Sequence, residues 1–278
     1  MVNNVNNDKV VEHYEINTLY ESILKGLSDS DVDLNNVSAD QLSAVDEFHI
    51  GGTEATGFVS DKFESLKDAK VLDVGCGIGG PARFIARHMS CSVTGIDLTP
   101  SFIKTGNALT ELVGLDDSVE LIEGDASGLP FQEQSFDVAY MIHVGMNISD
   151  KNSTFKSVNK VLKSGALFVI YDVMKTQEKT IKFPVPWADK AEGSAVESVD
   201  SYSRGLEASG FSILNSEVKR DFAIDYFEKM MNRMEGGPSP LGLHLIMGAN
   251  TGEKVQNVYQ QIVGGLLAPV LMVAKKGE

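Results

Sequence analysis

The stretch Lys70-Val-Leu-Asp-Val-Gly-Cys-Gly-Ile-Gly-Gly80 decides the fold, and Pro81-Ala-Arg-Phe-Ile-Ala-Arg-His88 follows it. The apolar residues Val71, Leu72 and Val74 predict a short buried strand, and the glycines after them predict a tight turn. Pro81 suits the first turn of a helix because its φ is already set there. A strand, a glycine turn and a helix together predict an α/β fold that cradles a nucleotide-like ligand.

Gly75, Gly77 and Gly80 match the pattern G-x-G-x-x-G, which is typical of dinucleotide-binding proteins but weak on its own. Asp73 weighs against a dinucleotide, because its carboxylate would face a pyrophosphate that a helix N-terminus attracts. A ligand that presents an ammonium and a sulfonium, and no phosphate, would suit that carboxylate. S-adenosylmethionine (SAM) is such a ligand.

Two further predicted strands also end near acidic residues. The stretch Ser92-Val-Thr-Gly-Ile-Asp97 alternates in polarity, and the carboxylate of Asp97 can hold a ribose diol through two hydrogen bonds. The stretch Val119-Glu-Leu-Ile-Glu-Gly-Asp-Ala126 ends in Gly124-Asp125-Ala126, where Asp125 could accept a hydrogen bond from an adenine amino group. Carboxylates at three successive strand ends therefore predict a site for an adenosine-containing ligand.

In this order and spacing, the three motifs resemble those of the class I SAM-dependent methyltransferases, over roughly Lys70 to Met174. The resemblance implies an α/β fold with a Rossmann-like, seven-stranded, mostly parallel sheet whose last strand is antiparallel. It also implies that SAM lies across the C-terminal ends of the first strands. The cofactor-binding residues that we infer are Asp73, Gly75, Cys76, Gly77, Asp97, Leu98, Gly124, Asp125, Ala126 and His143.

We expect a single methyltransferase domain over residues 1–278. Its predicted parts are an N-terminal helical cap (1–66), a SAM-binding core (67–218), a helical lid insert (219–263) and the last strand (264–278). In the cap, apolar spacing predicts one amphipathic helix over 8–27, a second over about 39–48 and a third to about Leu66. The insert carries aromatic and methionine residues at helical spacing, followed by Gly-Gly-Pro-Ser-Pro: Tyr226, Phe227, Met230, Met231, Met234 and 236–240.

His143 is the best-placed titratable residue in the sequence. It follows the predicted strand Phe136-Asp-Val-Ala-Tyr-Met-Ile, and an open α/β sheet binds its ligand at the carboxyl ends of its strands. His143 could accept the proton of an oxygen nucleophile, whereas a tertiary amine has no proton to lose. The sequence leaves open which of these nucleophiles applies.

Tyr14, His49 and Trp187 are the other catalytic candidates. A resemblance to sarcosine/dimethylglycine methyltransferases implies that cap residues such as Tyr14 and His49 line the active site. The alternatives are a tyrosine packed between helices and a histidine that caps the next helix. Trp187 could form an aromatic wall beside a methylammonium group, or it could anchor a turn-rich loop to the core.

Composition limits the partners. The chain has 24 basic and 39 acidic residues, a net charge of −15, which weighs against nucleic acid because phosphate binding needs clustered cations. The charge could equally serve solubility alone. Its two cysteines, Cys76 and Cys91, and the lack of a Cys/His cluster predict neither disulfides nor a metal site. The first eight residues carry no basic region or apolar run, and we expect no membrane span and a cytoplasmic location.

We therefore expect a SAM-dependent methyltransferase that acts on a small molecule as a monomer or homodimer. The resemblance to sarcosine/dimethylglycine methyltransferases favours N-methylation of an amino-acid-like amine. The alternative is methyl transfer to an oxygen, carbon or sulfur of another small molecule or a quinone-like lipid. More remote alternatives are an NAD-dependent oxidoreductase and a non-catalytic SAM-binding protein.

Overall fold

The structure, a computed structural model, describes residues 5–16, 18–63, 66–234, 239–248 and 250–278. Its strands are β1 (Lys70–Val74), β2 (Ser92–Asp97), β3 (Val119–Glu123), β4 (Phe136–Ile142), β5 (Leu162–Lys175), β6 (Phe211–Val218) and β7 (Leu267–Lys276). The helices are α1 (Val5–Tyr14), α2 (Leu19–Asp29), α3 (Ala39–Asp46), α4 (Gly52–Ser60), α5 (Gly80–Met89), α6 (Pro100–Leu112), α7 (Lys151–Val161), α8 (Val199–Ala208), α9 (Arg220–Met234), α10 (His244–Met247) and α11 (Thr251–Val263).

The strands form one sheet in the order β3-β2-β1-β4-β5-β7-β6. β1 to β5 run parallel, and β7 pairs antiparallel with both β5 and β6. This confirms the predicted mostly parallel sheet with an antiparallel last strand. The strand order reverses between β1 and β4, and such a reversal opens a crevice at the carboxyl ends of the strands, where α/β folds bind ligands.

Both faces of the sheet are buried, which explains why its central strands are almost continuously apolar. Successive residues of a strand point to opposite faces. Val71 accordingly packs in a cluster with residues of α4 and α5, whereas Leu72 packs in a second cluster with residues of α7 and α8. The sheet is therefore a rigid layer between two helical layers, and it fixes the positions of the residues that follow β1, β2 and β4.

The glycine turn after β1 depends on the backbone freedom of Gly75. Its φ of 78° lies in the left-handed region, and a Cβ at this position would lie 2.4 Å from the side chain of Val144. The backbone N–H groups of Gly75 and Cys76 both donate to the carbonyl of Ile96, at 2.8 and 3.1 Å. The turn is thus joined to the end of β2, and Pro81 lies in the first turn of α5 as predicted.

The cap docks on the start of α5 through a buried ion pair. Nη2 of Arg83 donates to Oδ2 of Asp46, the last residue of α3, at 2.8 Å, and both side chains are buried. The same guanidinium donates to the carbonyls of Ile78 and Gly106. Gly80 lies so close to the cap that a Cβ there would be 2.2 Å from the carbonyl oxygen of Asp46.

The predicted single helix over 8–27 is wrong, because two helices, α1 and α2, occupy this region. Between them the backbone N–H of Ile16 donates to Oγ of Ser101 at 3.1 Å and so leaves the helical pattern. The third cap helix ends at Ser60 and not near Leu66, with residues 64–65 outside the described part of the chain. The Gly-Gly-Pro residues 236–238 and the side chain of Met234 also lie outside it.

The segment between β6 and β7 contains α9, α10 and α11. Phe227 of α9 and Val258 of α11 are buried in one apolar cluster with Trp187. The helical content predicted for this insert is therefore confirmed. The division of the chain into cap, core, insert and last strand at the stated boundaries stays a prediction.

We predict that Gly80→Ala lowers the free energy of unfolding by about 1–3 kcal/mol, because the new Cβ overlaps the Asp46 carbonyl. Gly57→Ala is the matched control. It lies inside α4 with no atom within 4 Å of an added Cβ, so it should stabilise the protein by up to about 1 kcal/mol. Urea unfolding followed by circular dichroism measures both changes, and equal midpoints for the two variants would contradict the docking contact.

Candidate active site

A cavity of about 1610 Å³, its open mouth included, lies at the carboxyl ends of β1, β2 and β4. α1 and residues of α9, α10 and α11 cover it from the other side. The structure brings all of the predicted site residues to its wall: Tyr14, His49, Asp73, Gly75, Cys76, Gly77, Asp97, Leu98, Gly124, Asp125, Ala126, His143 and Trp187. These residues come from seven parts of the chain, so the sheet, the cap and the loop after β5 build the site together.

Asp73 lies at the base of the cavity and is 2% exposed. Its Oδ2 is buried and accepts no hydrogen bond from the described residues. Burial raises the pKa of Asp73 to about 8, against the lowering influence of the nearby Tyr140 hydroxyl. Because Asp73 also lines the cavity, its carboxylate fits a ligand that brings its own cation, such as the ammonium of SAM.

Asp97 connects the glycine turn to the end of β2. Its Oδ2 accepts from the N–H of Gly77 at 3.0 Å, and its Oδ1 accepts from the N–H of Thr99 at 2.9 Å. Burial raises the pKa of Asp97, and these backbone donors oppose that rise. Each carboxylate oxygen has a second lone pair, so the carboxylate can also accept from both hydroxyls of a ribose.

Asp125 follows β3 at the edge of the cavity. Its Oδ1 accepts from the N–H of Ser127 at 2.8 Å, and its Oδ2 accepts from the side-chain amide of Asn7 in α1 at 2.6 Å. The Asn7 amide therefore donates to the carboxylate that is expected to accept from the adenine amino group. No sequence pattern pointed to Asn7, because 118 residues separate the two partners.

His143 is the residue that follows β4, and its backbone is left-handed with φ of 53°. Its own N–H donates to the carbonyl of Tyr171 on β5 at 2.8 Å. Nε2 of its ring accepts from the N–H of Ile50 at 3.4 Å, while Nδ1 is buried with no described partner in good hydrogen-bond geometry, although a weaker hydrogen bond to the backbone of Tyr171 raises the pKa of the ring. Burial, and secondarily the neighbouring His49, hold the pKa of His143 well below its usual value, so the ring is neutral at pH 7.

His49 belongs to a buried cluster of polar side chains, and the sequence analysis identified only His49 among them. Its Nε2 lies 3.0 Å from the carbonyl oxygen of Gly52 and 3.5 Å from Oε2 of Glu47. The Thr56 hydroxyl donates to the same Glu47 oxygen at 2.6 Å. Burial lowers the pKa of His49 to about 4 and, with a smaller contribution from Asp46, raises that of Glu47 to about 8. At pH 7 a neutral imidazole and a largely protonated carboxyl group therefore lie side by side.

Tyr14 and Trp187 both pack in the interior and line the cavity. For each residue, the packing role and the place at the ligand site that were stated as alternatives are therefore compatible. The Tyr14 ring lies 5.6 Å from that of Phe102, centroid to centroid, and burial raises the pKa of its hydroxyl above the usual range. The indole Nε1–H of Trp187 donates to Oγ of Ser194 at 2.9 Å. Each side chain thus lines the cavity and also packs against neighbouring residues.

The part of the cavity beneath the insert is apolar. Its wall includes Phe227, Met230, Leu243, Ile246, Met247 and Val258. Carboxylates also line the cavity, namely Asp46, Asp73, Asp97, Asp125 and Asp150, whereas its described lining residues include no lysine or arginine. The cavity therefore combines an acidic end that suits a cationic cofactor with an apolar end that suits an uncharged molecule.

Over the described ranges, no group of His, Cys, Asp or Glu side chains is arranged to hold a metal ion. Among the helices of those same ranges, none has the length and apolar character needed to cross a bilayer.

Comparison with known proteins identifies the domain that carries the cavity. The family model for a methyltransferase domain matches residues 72–170, which run from β1 into β5. Residues 72–170 therefore form a methyltransferase domain, and the sheet has the fold of the class I SAM-dependent methyltransferases. The proposed sarcosine dimethylglycine methyltransferase of Galdieria sulphuraria has the same fold. Its crystal structure superimposes with a TM-score of 0.64 at 20% identity, covering 81% of this chain and 85% of that one.

Two curated relatives are named for very different methyl acceptors. Phosphoethanolamine N-methyltransferase 1 of Arabidopsis thaliana is 32% identical over 66% of this chain and 37% of its own length. Sterol 24-C-methyltransferase ERG6B of Gibberella zeae is 29% identical over 53% of this chain and 40% of its own length. The chain thus spans about two fifths of each relative, and the likeness does not extend to the whole of either protein.

We predict that SAM binding to this methyltransferase releases a proton from Asp73 at pH 7. With a pKa of about 8 the carboxyl group is largely protonated in the free protein, and the ammonium of SAM favours its ionised form. Affinity should therefore rise with pH, by up to about tenfold between pH 6 and pH 7. Titration calorimetry in two buffers of different ionisation enthalpy measures the released proton.

Asp73→Asn is the control for this titration, because the amide keeps the shape of the side chain and cannot ionise. It should bind SAM more weakly and release no proton. Identical heats for the unsubstituted protein in the two buffers would contradict the assignment of Asp73 to the ammonium.

Proposed function

We propose that this methyltransferase transfers the methyl group of SAM to a small, largely apolar and uncharged acceptor. The observation that carries the proposal is the single cavity in which three strand-end carboxylates adjoin an apolar chamber beneath the insert. Such a chamber gains its binding energy from burial of apolar surface and loses energy when a charge enters unpaired.

The chain's part in the reaction is to bind and align the two reactants and to exclude water. SAM supplies an electrophilic methyl group on a sulfonium, and transfer is an in-line displacement. Asp73 is assigned to the ammonium, Asp97 to the ribose hydroxyls and Asp125 to the adenine amino group. α1 and the insert cover the reactants, which holds them in line and keeps water from the sulfonium.

The charges of the cavity support an uncharged acceptor. A phosphate or carboxylate is normally bound by arginine or lysine, and the described residues of the wall supply neither. Of the two acceptors named for the curated relatives, a sterol agrees with this lining better than phosphoethanolamine does. A sterol-like or quinone-like molecule, methylated on carbon or oxygen, is therefore the favoured class.

The second candidate is N-methylation of a small amine, as the resemblance to sarcosine/dimethylglycine methyltransferases implies. Trp187 supports it, because an indole ring at the cavity wall can stabilise a methylammonium product by a cation–π contact. An amino-acid-like amine would also bring a carboxylate, for which the described lining residues provide no cationic partner. The amine is therefore placed second.

Incubation of the protein with methyl-labelled SAM and two acceptor pools tests the proposal. One pool holds sterols, quinols and other neutral lipids, and the other holds sarcosine, dimethylglycine and phosphoethanolamine. We expect label in the first pool and none above background in the second. Label in the amine pool alone would replace the favoured class by the second candidate, and no transfer despite SAM binding would support a non-catalytic SAM-binding protein.

We also propose a cytoplasmic location, a monomeric or homodimeric state and no nucleic-acid partner. The net charge of −15 supports the last of these, because it repels phosphate backbones. Sedimentation velocity measures the oligomeric state.

We predict that Asp97→Ala weakens SAM binding by about 1.5–3 kcal/mol, the range for hydrogen bonds to a charged group. Part of this loss comes from the glycine turn, since Asp97 also accepts from Gly77 and Thr99. Asp97→Asn keeps one acceptor oxygen for the turn and should lose less. Calorimetry with SAM and with NAD compares the variants. Tight binding of NAD without binding of SAM would contradict the assignment of Asp97 to the ribose of SAM.

A further inference from the structure

The loop 144–150 after β4 forms a continuous part of the cavity wall. All of its residues except Gly145 line the cavity. The Tyr14 hydroxyl, whose pKa is raised by burial and further by Asp97, is hydrogen-bonded to the side chain of Asn147, which opposes that rise. The loop therefore borders the part of the cavity in which Asp97 is assigned to the ribose of SAM.

The buried ammonium of Lys151, the first residue of α7, holds this loop in place. The Lys151 side chain is 5% exposed, and its Nζ donates to the carbonyl of Ile148 at 2.8 Å and to that of Ala195 at 2.6 Å. The N–H of Ala195 also donates to the carbonyl of Met146 at 2.7 Å. The loop is thus joined at two points to the segment between β5 and α8.

Asp172 on β5 is a buried anion close to this ammonium. Its Oδ2 accepts from the Tyr202 hydroxyl of α8 at 2.6 Å, and its Oδ1 accepts from the N–H of Val173 at 2.9 Å. Burial raises the pKa of Asp172 to about 6, against the lowering effects of Tyr202 and Lys151, so the carboxylate is mostly ionised at pH 7. Burial lowers the pKa of Lys151, whereas Glu197 and Asp172 favour its charged form.

Gly145 brings the loop into direct contact with this anion. A Cβ at Gly145 would lie 2.2 Å from the Tyr202 hydroxyl oxygen and 2.3 Å from Oδ2 of Asp172. A hydrogen bond from the backbone of Gly145 also lowers the pKa of Asp172. The described cavity wall does not include Lys151, Asp172 or Tyr202. Any effect of these three side chains on a bound ligand must therefore pass through the loop.

The helix that Lys151 begins also supports the residues next to the adenine position. α7 packs against residues 126–128, which follow Asp125. Oγ of Ser157 in α7 accepts from the N–H of Leu129 at 2.8 Å. A shift at the start of α7 would therefore be transmitted to the adenine end of the site as well as to the ribose end.

We propose that Lys151 is a positioning residue for the cofactor. Its ammonium, with Asp172 as the nearby anion, holds the loop 144–150 in the arrangement that binds SAM. Without the ammonium, the carbonyls of Ile148 and Ala195 lose their donor and Asp172 loses a neighbouring cation, so the loop is no longer fixed at Ile148. The inference goes beyond the proposed function, because it holds for any methyl acceptor.

Titration calorimetry with S-adenosylhomocysteine tests the inference without an acceptor. Lys151→Met keeps most of the side-chain volume and removes the ammonium, and we expect it to raise Kd about tenfold. Lys160→Met is the matched control, because Lys160 belongs to the same helix but is 63% exposed. It should keep the Kd of the parent protein. A lower binding stoichiometry in Lys151→Met with an unchanged Kd would indicate a purely structural role and would overturn the proposal.

The fluorescence of Trp187 supplies a local signal. It is the only tryptophan of the chain, and its Nε1–H donates to Oγ of Ser194, next to Ala195. Release of this segment should expose the indole to water. We therefore expect the emission of the ligand-free protein to shift to longer wavelength in Lys151→Met and to stay unchanged in Lys160→Met. An unshifted emission in Lys151→Met would contradict the role of its ammonium in holding the segment.

Tyr202→Phe keeps every charge and removes one hydrogen bond to Asp172. It should raise the Kd for S-adenosylhomocysteine about two- to fivefold. If Lys151→Met does not fold, this variant decides, and a Kd equal to that of the parent would overturn the proposal. Failure of the parent protein to transfer label would count against the proposed function alone, whereas failure to bind S-adenosylhomocysteine would contradict the cofactor assignment and this inference together.

Discussion

A buried guanidinium holds the cap against the glycine turn, and the geometry of the site depends on it. Arg83 is 1% exposed and contacts Asp46, the carbonyl of Ile78 and the carbonyl of Gly106. Loss of Asp46 alone would leave a charge buried without its partner, at a cost of about 3–5 kcal/mol. Because Asp46 ends α3, this contact also fixes the start of the segment that carries His49 and Ile50 to the cavity wall.

That segment is held at its far end by the sheet. The Tyr171 hydroxyl on β5 donates to the carbonyl of Ile50, while the N–H of Ile50 donates to His143 after β4. Residues 46–50 thus stretch between α5 on one side and two central strands on the other. A site built in this way has few degrees of freedom, since both the ring of His143 and the backbone opposite it are positioned by elements of the rigid core.

The sequence predicts those parts of the fold and site that depend on local patterns. An acid at or near a strand end is visible in the sequence at Asp73, Asp97 and Asp125, because a parallel sheet places such residues at one edge whatever the rest of the chain does. The break between α1 and α2 was not predictable, because it depends on a contact between Ile16 and Ser101. Asn7 and the pairing of Asp46 with Arg83 were missed for the same reason, since tertiary contacts across 118 and 37 residues leave no periodic signal.

The acidic lining of the cavity affects how strongly the cofactor is held before and after methyl transfer. Five aspartates line it, of which Asp46 is paired with Arg83 and Asp73 is largely protonated until SAM binds, and the described wall includes no lysine or arginine. SAM enters this field with a positive sulfur, whereas the molecule left after methyl transfer has a neutral thioether in the same position. The attraction that helps to load the fresh cofactor is therefore weaker for the spent one. The two molecules share the ammonium, the ribose and the adenine, so an acidic cavity of this kind can distinguish them only through the charge at the sulfur.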